Sequence, residues 1–246
     1  MNSLTIIIPA YNEEKRIGKT LEEYCTHFKS SKILVVLNGC RDKTLDVVKN
    51  YSKKFSNLEY IEFKSSIGKG GAIIEGFKIS QTDLIGFVDA DGSTPTTAYQ
   101  DLVNKINGFD GILASRWIRG AEIKKKQPLS RRLFSRLFNL LVRTIFIIPV
   151  SDTQCGAKLF TKTVIKNILS NLGTTKWAFD IDLLYQLKRR KYKIIEIPTT
   201  WRDSKESRLN LRRTIPEMFL AIIRLRLIYS QFRFIVKIYD YITSRI

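Results

Sequence analysis

The chain has 246 residues, 44% of them hydrophobic, which is enough for a full α/β domain with a core of its own. Its 42 Lys and Arg residues outnumber its 23 Asp and Glu residues, and the formal charge of +19 predicts an anionic partner: a nucleic acid, an anionic membrane surface or a phosphorylated substrate. Cys25, Cys40 and Cys155 are widely scattered, which argues against a disulfide scaffold or structural zinc site and favours a reducing compartment.

Three kinds of segment are missing from the sequence. It has no aromatic-basic RNA motif, zinc-finger spacing or basic zipper, so nucleic acid is not an expected partner. No basic stretch followed by a cleavable apolar segment precedes the first strand, so no secretory signal is predicted. No uninterrupted run of about 18 apolar residues is present, so no membrane-spanning helix is predicted.

Strands and helices alternate through the N-terminal half. The β-branched run at residues 4–8 predicts a strand stopped by Pro9, and apolar residues at helical spacing predict a helix over 14–28, with His27 at the surface. The alternation continues with predicted strands at 33–37 and 58–63 and predicted helices over 45–55 and 70–80. This order predicts a Rossmann-like, doubly wound, mostly parallel sheet with helices on both faces.

The apolar run at residues 84–88 stops abruptly at two acids, Asp89 and Asp91. A strand buried on both faces belongs to a helix-covered parallel sheet, whose ligands bind at the carboxyl ends of the strands. Residues two apart on an extended chain point the same way, so both carboxylates could hold one divalent cation. The alternative is an acidic strand end that only begins a turn at Gly92 and Ser93.

Lys69 stands in a glycine-rich stretch, residues 68–71, that opens the third predicted helix. Free backbone amides and a lysine at a helix start could face a phosphate. Neither a Walker A loop nor a Rossmann fingerprint fits the spacing, because Gly70 follows Lys69 and Ile73 stands where the third fingerprint glycine would be. A flexible turn into a helix explains the stretch equally well.

The C-terminal half is more basic. A strand at 110–115 leads to Arg116, and residues 129–148 form a broad apolar face interrupted by arginines. That pattern is typical of an interfacial amphipathic helix, or of a helix packed on its own core with snorkelling arginines. Further on, we predict a short strand before Phe160, a helix begun at 179–184 with Asp180 as a possible cap, and a last strand at 193–198. A polar loop over 201–210 precedes a long basic amphipathic helical segment, which with 129–148 forms a predicted membrane-facing element.

The ordered motifs resemble the family 2 glycosyltransferases with the GT-A fold, and within them the polyprenyl (dolichyl) phosphate sugar synthases. The matching pieces occur in the family's order at residues 8–14, 35–44, 68–70, 89–91, 115–116, 152–156, 179–180 and 207–208. The element at 152–156 is most similar to the branch that makes dolichyl phosphate glucose. The resemblance implies a catalytic domain over residues 1–210, with 211–246 as a C-terminal amphipathic helical segment.

The resemblance also implies roles for individual residues. Asp89 and Asp91 would hold Mg²⁺ or Mn²⁺, and the catalytic set would be Asp89, Asp91, Arg116 and Asp180. Asn38 stands where the family usually has an aspartate, which leaves the base preference open. The implied nucleotide-sugar site comprises Pro9, Ala10, Tyr11, Asn12, Glu13, Asn38, Gly39, Lys69, Asp89, Ala90 and Asp91. The implied acceptor and diphosphate site comprises Arg116, Arg131, Arg132, Gln154, Ser207 and Arg208.

The resemblance implies inverting transfer of a hexose, with glucose favoured, from a UDP- or GDP-sugar to dolichyl or polyprenyl phosphate. A metal and arginines can neutralise the leaving diphosphate, and an ionised phosphate acceptor needs no general base. We expect the enzyme to act peripherally at the cytoplasmic face of a membrane. Two alternatives remain open: the same fold acting on a soluble or polysaccharide acceptor, and a non-catalytic basic module that binds membranes or nucleic acid.

Overall fold

The computed structural model describes residues 2–125, 129–173, 178–202, 211–236 and 238. Strands and helices alternate through the first half of the chain, as the sequence predicts. The elements are β1 (Leu4–Ala10), α1 (Ile17–His27), β2 (Lys32–Asn38), α2 (Thr44–Lys54), β3 (Leu58–Phe63), α3 (Gly68–Ile79), β4 (Leu84–Phe87), α4 (Thr96–Lys105), β5 (Gly111–Ser115), β6 (Glu122–Lys125), α5 (Leu129–Phe146), β7 (Lys158–Thr161), α6 (Lys162–Leu169), α7 (Phe179–Arg189), β8 (Ile194–Pro198), β9 (Thr200–Arg202) and α8 (Leu211–Ile228).

Seven strands form the main sheet in the order β3-β2-β1-β4-β7-β5-β8. All neighbours are parallel except β7, which runs antiparallel between β4 and β5. The strand order reverses at β1, which pairs with β2 on one side and with β4 on the other. In a doubly wound sheet such a switch point opens a crevice at the carboxyl ends of the strands. The crevice therefore lies where β1 leads to Tyr11 and β4 leads to Asp89.

Helices cover both faces of this sheet, because the strands are apolar on both sides. One buried cluster contains Ile7, Val36 and Phe87 with residues of α3, α6 and α7, and the other contains Ile6, Val35 and residues of α1, α2 and α4. Alternate residues of one strand therefore face opposite layers. The predicted mostly parallel α/β architecture with helices on both faces is confirmed.

Strand β1 does not stop at Pro9, as the sequence predicted, but continues to Ala10. Pro9 pairs in register with Val36 of β2. The ladder with β4 ends two residues earlier, at Ile7 opposite Phe87. Backbone groups of residues 7 and 9 face the same side, and the Val88 amide donates to the Ile7 carbonyl. Proline at position 9 therefore removes no bond from the sheet, because β4 has already ended.

The sequence analysis did not predict α4, α6 or a second sheet. In this sheet β6 pairs in parallel with β9, where Ile123 faces Trp201. It includes Trp201 and Arg202, which the sequence analysis assigned to a polar loop. The short β6 carries alternating charges and gives little periodic signal. Its pairing depends on a partner nearly eighty residues away, which local sequence does not reveal.

Helix α5 confirms the predicted helix, and one side of it packs on the core; the membrane interface stays a prediction. Phe138, Val142 and Phe146 are buried in the main core. Leu129, Leu133, Leu137 and Leu140, spaced at helical intervals, form an exposed stripe that we call the leucine stripe. The helix ends at Phe146; the next residue, Ile147, has a positive φ of 52°, and the Ile148 amide donates to the Arg143 carbonyl.

Helix α8 covers residues 211–228 of the predicted C-terminal helical segment, and residues 233–236 are helical again. It ends at Ile228, and Ser230 then donates to the Leu227 carbonyl and accepts from the Phe232 amide, which turns the chain. Ile222 and Leu225 are buried in the main core, and α8 packs beside α5. Ile215, Phe219, Leu220 and Ile223 remain exposed. Within the described ranges, every helix is too short or too polar to cross a bilayer.

Candidate active site

The loop after β1 forms one wall of the crevice and is held by its own polar groups. Arg16 binds both carboxylate oxygens of Glu13, with each N–O distance 2.7 Å. The Glu13 amide donates to Thr44, and the Asn12 side chain accepts from the Arg41 amide at 2.7 Å. Burial raises the pKa of Glu13 despite Arg16, and the nearby acids Asp91 and Asp89 add to the rise. Tyr11 is half exposed at the rim, which leaves its ring accessible.

Two predicted nucleotide-site alanines lie under the crevice instead of lining it with their side chains. Ala10 and Ala90 are buried in an apolar cluster, and their carbonyls accept from Cys40 and from Thr20 respectively. Their side chains support the two loops, so any ligand contact would involve the backbone. Pro9, in contrast, is partly exposed.

Asn38 connects the end of β2 to the start of α3. Its side-chain oxygen accepts from the Ile67 amide at 2.7 Å, and the residue is buried. Gly39 follows with a φ of +67°, and a Cβ there would lie 2.5 Å from the Ser66 amide nitrogen. Both residues therefore fix the loop that positions Lys69. The acceptor atom of the Asn38 amide is already in use, so base recognition by that oxygen would have to share it.

Asp89 and Lys69 form an ion pair of 2.5 Å that joins the end of β4 to the first turn of α3. Burial alone would raise the pKa of Asp89. The positive charge of Lys69, together with those of Lys158 and Arg116, holds this pKa below its ordinary value. Burial opposes the charge of Lys69, whereas Asp89 and Asp180 raise the Lys69 pKa. Lys69 therefore lies among the acids of the site, where it could also contact a phosphate.

Asp91 is bound more weakly by the protein. Its Oδ1 accepts from the Ser93 amide at 2.9 Å and from the Ser93 hydroxyl. Burial and the negative charge of Asp89 raise the pKa of Asp91, and the Ser93 hydrogen bonds only partly oppose this. A carboxylate held next to another carboxylate is stabilised by a cation.

The site offers two carboxylates for a metal. Within the part of the chain that the structure describes, no group of three or more His, Cys, Asp or Glu residues could hold an ion. Mg²⁺ commonly binds through one or two carboxylates and completes its shell with phosphate oxygens and water. Asp89 and Asp91 fit that donor set, provided that a diphosphate supplies the remaining oxygens.

Gly156 lies against the carboxylate of Asp89. A Cβ at position 156 would lie 1.9 Å from Asp89 Oδ2 and 2.3 Å from its Cγ. Any other residue would therefore displace the carboxylate or the loop. The glycine in the 152–156 motif is explained by this close approach.

We expect Gly156→Ala to lower the rate of the sugar transfer predicted from the sequence at least about tenfold, because the added methyl group displaces Asp89. The measurement is the initial rate of that predicted transfer by the purified variant. Gly18→Ala is the matched control, since its Cβ would meet Tyr51 at an ordinary 3.4 Å in helix α1. A Gly156→Ala enzyme as active as the control would show that the contact does not constrain Asp89.

Arg116, at the end of β5, is bound by Asp152. Its Nε and Nη2 atoms donate to the two Asp152 oxygens at 2.7 and 2.9 Å, and its backbone amide donates to the same carboxylate at 3.0 Å. Asp152 is fully buried. Burial would raise the pKa of Asp152, but Arg116 and its hydrogen bonds hold the pKa below its ordinary value. Asp152 thus neutralises much of the charge that the sequence analysis assigned to phosphate binding.

A cavity open to solvent lies beside this pair. The Arg116 guanidinium is 5.8 Å from the Trp117 ring and 5.4 Å from the Trp201 ring, and Arg136 is 5.9 Å from Trp117. We call it the arginine–tryptophan cavity; its lining residues are Arg116, Trp117, Ile123, Arg132, Ser135, Arg136 and Trp201. Arg132 was predicted here, whereas Arg136 and both tryptophans were missed. Arg136 could have been predicted, because it lies four residues after Arg132 in α5 and therefore on the same face of the helix.

Lys158 and Asp180 form a buried ion pair of 2.6 Å beneath the site. Asp180, which the sequence analysis placed in the site, lies in the first turn of α7. Lys158 was missed, because a single lysine in a short apolar strand gives no motif. The buried hydroxyl of Ser115 and the buried amide nitrogen of Gln154 have no hydrogen-bond partner among the described residues.

The structure brings together residues from the ends of β1, β2, β4 and β5 and the start of α3 and α7. The place of Gln154 in the acceptor and diphosphate site stays a prediction. Ser207, Arg208 and the Arg131 side chain lie outside the described residues.

Comparisons with known proteins identify related sequences. The chain is 31% identical over 241 residues to a dolichyl-phosphate beta-glucosyltransferase of Trichomonas vaginalis, covering 92% of this chain and 73% of the relative. It is 30% identical over 243 residues to one of Dictyostelium discoideum, with 92% and 74% covered, and 30% identical over 224 residues to one of Homo sapiens, with 84% and 69% covered.

Solved structures show the fold. A glucosyl-3-phosphoglycerate synthase from Mycobacterium tuberculosis, in complex with Mn²⁺, UDP and glucosyl-3-phosphoglycerate, superposes with a TM-score of 0.68 at 15% identity, covering 92% of this chain and 79% of that one. A mannosyltransferase from Pyrobaculum calidifontis, in complex with GDP-mannose and Mn²⁺, gives 0.64 at 17% identity, with 90% and 64% covered.

The GT-A fold is thereby confirmed. The family model described as glycosyl transferase family 2 matches residues 5–169, more than half of the chain. The chain therefore belongs to glycosyl transferase family 2, as its ordered motifs predict, and is a glycosyltransferase.

Proposed function

We propose that this chain transfers glucose from a nucleoside diphosphate sugar to dolichyl phosphate, with inversion to a β-linked product. The observation that carries the proposal is the relationship to dolichyl-phosphate beta-glucosyltransferases at about 30% identity over most of the chain, including the Trichomonas vaginalis relative. The described site has charged groups suited to two phosphorylated substrates. A donor diphosphate would meet the acids and Lys69, and an acceptor phosphate would meet the arginines.

The donor part of this proposal lies at the β1–β4 switch point. Tyr11 and the Glu13–Arg16 pair would frame the nucleoside, and Asp89 with Asp91 would hold a divalent cation against the diphosphate. When bound, that cation neutralises the charge that develops on the leaving diphosphate. Lys69 would exchange part of its contact with Asp89 for a phosphate oxygen. UDP and GDP remain alternatives for the donor, and Mg²⁺ and Mn²⁺ for the metal.

The acceptor part lies in the arginine–tryptophan cavity. Arg132 and Arg136 carry the charge there that Asp152 does not neutralise, and no carboxylate partner for either is present in the described part of the chain. A lipid phosphate is largely dianionic at neutral pH, because its second pKa is about 6. Such a phosphate can attack the anomeric carbon without a general base. Arginines hold it in position through charge-assisted hydrogen bonds.

We also propose that the leucine stripe of α5 and the exposed apolar residues of α8 lie in the membrane interface, on its cytoplasmic face. The two helices pack side by side and carry exposed Arg136, Arg143 and Arg226. Apolar side chains flanked by basic ones suit an anionic membrane surface. The boundary at residue 210 between the catalytic domain and the C-terminal segment stays a prediction, although α8 packs on the core.

We expect Leu137→Glu to weaken binding to vesicles with anionic lipids at least about tenfold, because it removes an apolar contact and adds a negative charge. Co-sedimentation with phosphatidylserine vesicles measures this. Leu137 is 57% exposed, and Ile79→Glu is the matched control because Ile79 is a 43% exposed apolar residue of a different helix, α3. Equal binding by the two variants would contradict the proposed membrane face.

The experiment that tests the function is a transfer assay with purified protein, Mg²⁺ or Mn²⁺ and a panel of UDP- and GDP-sugars, with dolichyl phosphate present or absent. We expect UDP- or GDP-glucose to give a lipid-linked glucose that disappears on addition of EDTA. Transfer to soluble sugars and none to dolichyl phosphate would overturn the proposed acceptor. No consumption of any donor would overturn the proposed function as a whole.

A further inference from the structure

Lys158 is a cation enclosed by the protein directly below the proposed site. Its side chain is fully buried in β7, the antiparallel strand between β4 and β5. The ammonium donates to Asp180 Oδ1 at 2.6 Å and to the Cys155 carbonyl at 2.5 Å, and it lies 5.4 Å from the centre of the Phe87 ring. Burying an unpaired charge is costly, so such a lysine persists only with its partners in place.

The partners of Lys158 belong to two different parts of the site. Cys155 precedes Gly156, which lies against Asp89, and Asp180 opens helix α7. The positive charge of Lys158 also acts on Asp89 and Asp152. One ammonium group therefore joins the loop that packs on Asp89 to the helix that carries Asp180.

Asp180 has a second neighbour of opposite charge. Its negative charge acts on Lys69, which in turn binds Asp89. Asp180 therefore binds the buried Lys158 directly and interacts electrostatically with the Lys69 of the Lys69–Asp89 pair. Lys158 binds one oxygen of the Asp180 carboxylate, which leaves the other able to accept a hydrogen bond from a hydroxyl group.

We propose that Lys158 is a positioning residue that fixes the Asp180 carboxylate so that its second oxygen accepts from a hydroxyl of the transferred sugar. The inference rests on the proposed function, because it requires a donor sugar beside Asp180. Lys158 does not touch the substrate. It acts through Asp180, whose carboxylate it holds in one orientation at the start of α7.

Lys158→Met keeps the length of the side chain and removes its charge. We expect it to reduce kcat for transfer about 100-fold, since a misplaced group near the reacting sugar costs this much. Binding of UDP or GDP with Mn²⁺, measured by calorimetry, is expected to stay within about threefold, because the proposed contacts to the nucleoside, the diphosphate and the metal do not include Asp180. Lys166→Met, on the exposed face of α6, is the matched control and keeps wild-type kcat.

A double-mutant cycle separates positioning from mere structural support. If Lys158 acts through Asp180, then Asp180→Asn has a similar kcat to Lys158→Met, and the double variant is no slower than either single variant. A double variant that regains turnover along with stability would overturn the proposal, because the pair would then only maintain the fold. A double variant at least about tenfold slower than Asp180→Asn would also overturn it, by giving Lys158 an independent role.

The cycle remains informative if Lys158→Met does not fold. The double variant has no unpaired buried charge at this pair, so we expect it to fold. Its turnover is then compared with that of Asp180→Asn, and we expect the two to be equal. Wild-type transfer to dolichyl phosphate is measured first and tests the proposed function by itself. An active wild type with a fully active, folded Lys158→Met variant would overturn this inference and leave the function standing.

Discussion

Asp91→Asn is expected to lower the rate of sugar transfer at least about 100-fold, with the fold intact. The variant keeps an oxygen that can accept from the Ser93 amide and hydroxyl, so the turn after β4 is preserved. The substitution removes one of the two negative charges of Asp89 and Asp91. The repulsion between these charges is what a divalent cation would relieve. Losing electrostatic stabilisation of a developing charge costs about 100- to 1,000-fold in kcat.

The measurement is the steady-state rate at several Mn²⁺ and Mg²⁺ concentrations. Wild-type activity should vanish with EDTA and return with added metal, whereas the variant should need far more metal for any recovery. Asp101→Asn, on the exposed side of α4, is the same chemical change away from the crevice and should leave the rate unchanged. If Asp91→Asn retains half of the wild-type rate, the metal does not depend on Asp91.

The sequence predicts the positions at strand ends well, and the physical reason is local. Asp89 and Asp91 end an apolar run. A strand with such a run is buried on both faces, whichever strands flank it in the sheet. Asn38 and Arg116 likewise follow short apolar runs at 33–37 and 110–115. The alternation of strand and helix patterns along the chain predicts a parallel sheet, which places all of these strand ends at one edge.

Contacts between distant segments were not predictable in the same way. Arg116 and Asp152 are 36 residues apart, and their ion pair depends on the antiparallel course of β7, which no periodicity specifies. Trp201 reaches the arginine–tryptophan cavity only because β9 pairs with β6. Lys158 looks like a surface lysine in the sequence, and only the packing of α7 shows that it is enclosed.

The ion pair of Arg116 with Asp152 leads to the second large effect. Asp152→Asn is expected to destabilise the protein by about 3–5 kcal/mol, because it leaves the guanidinium of Arg116 buried without its counter-charge. For a chain of this size that corresponds to a fall in Tm of about 6–20 °C. Urea or thermal unfolding measures it, with Asp46→Asn on the exposed side of α2 as the matched control.

The pH dependence of this difference gives an independent check. The folded-state pKa of Asp152 is below its ordinary value, so its contribution to stability is complete above the unfolded pKa of about 3.9 and is lost as the pH falls toward the folded pKa. The gap in unfolding free energy between wild type and Asp152→Asn should therefore be constant from about pH 6 to 8 and shrink below about pH 4. A gap that persists unchanged in acid, or a variant as stable as the control, would show that the carboxylate charge of Asp152 does not stabilise the folded chain through Arg116.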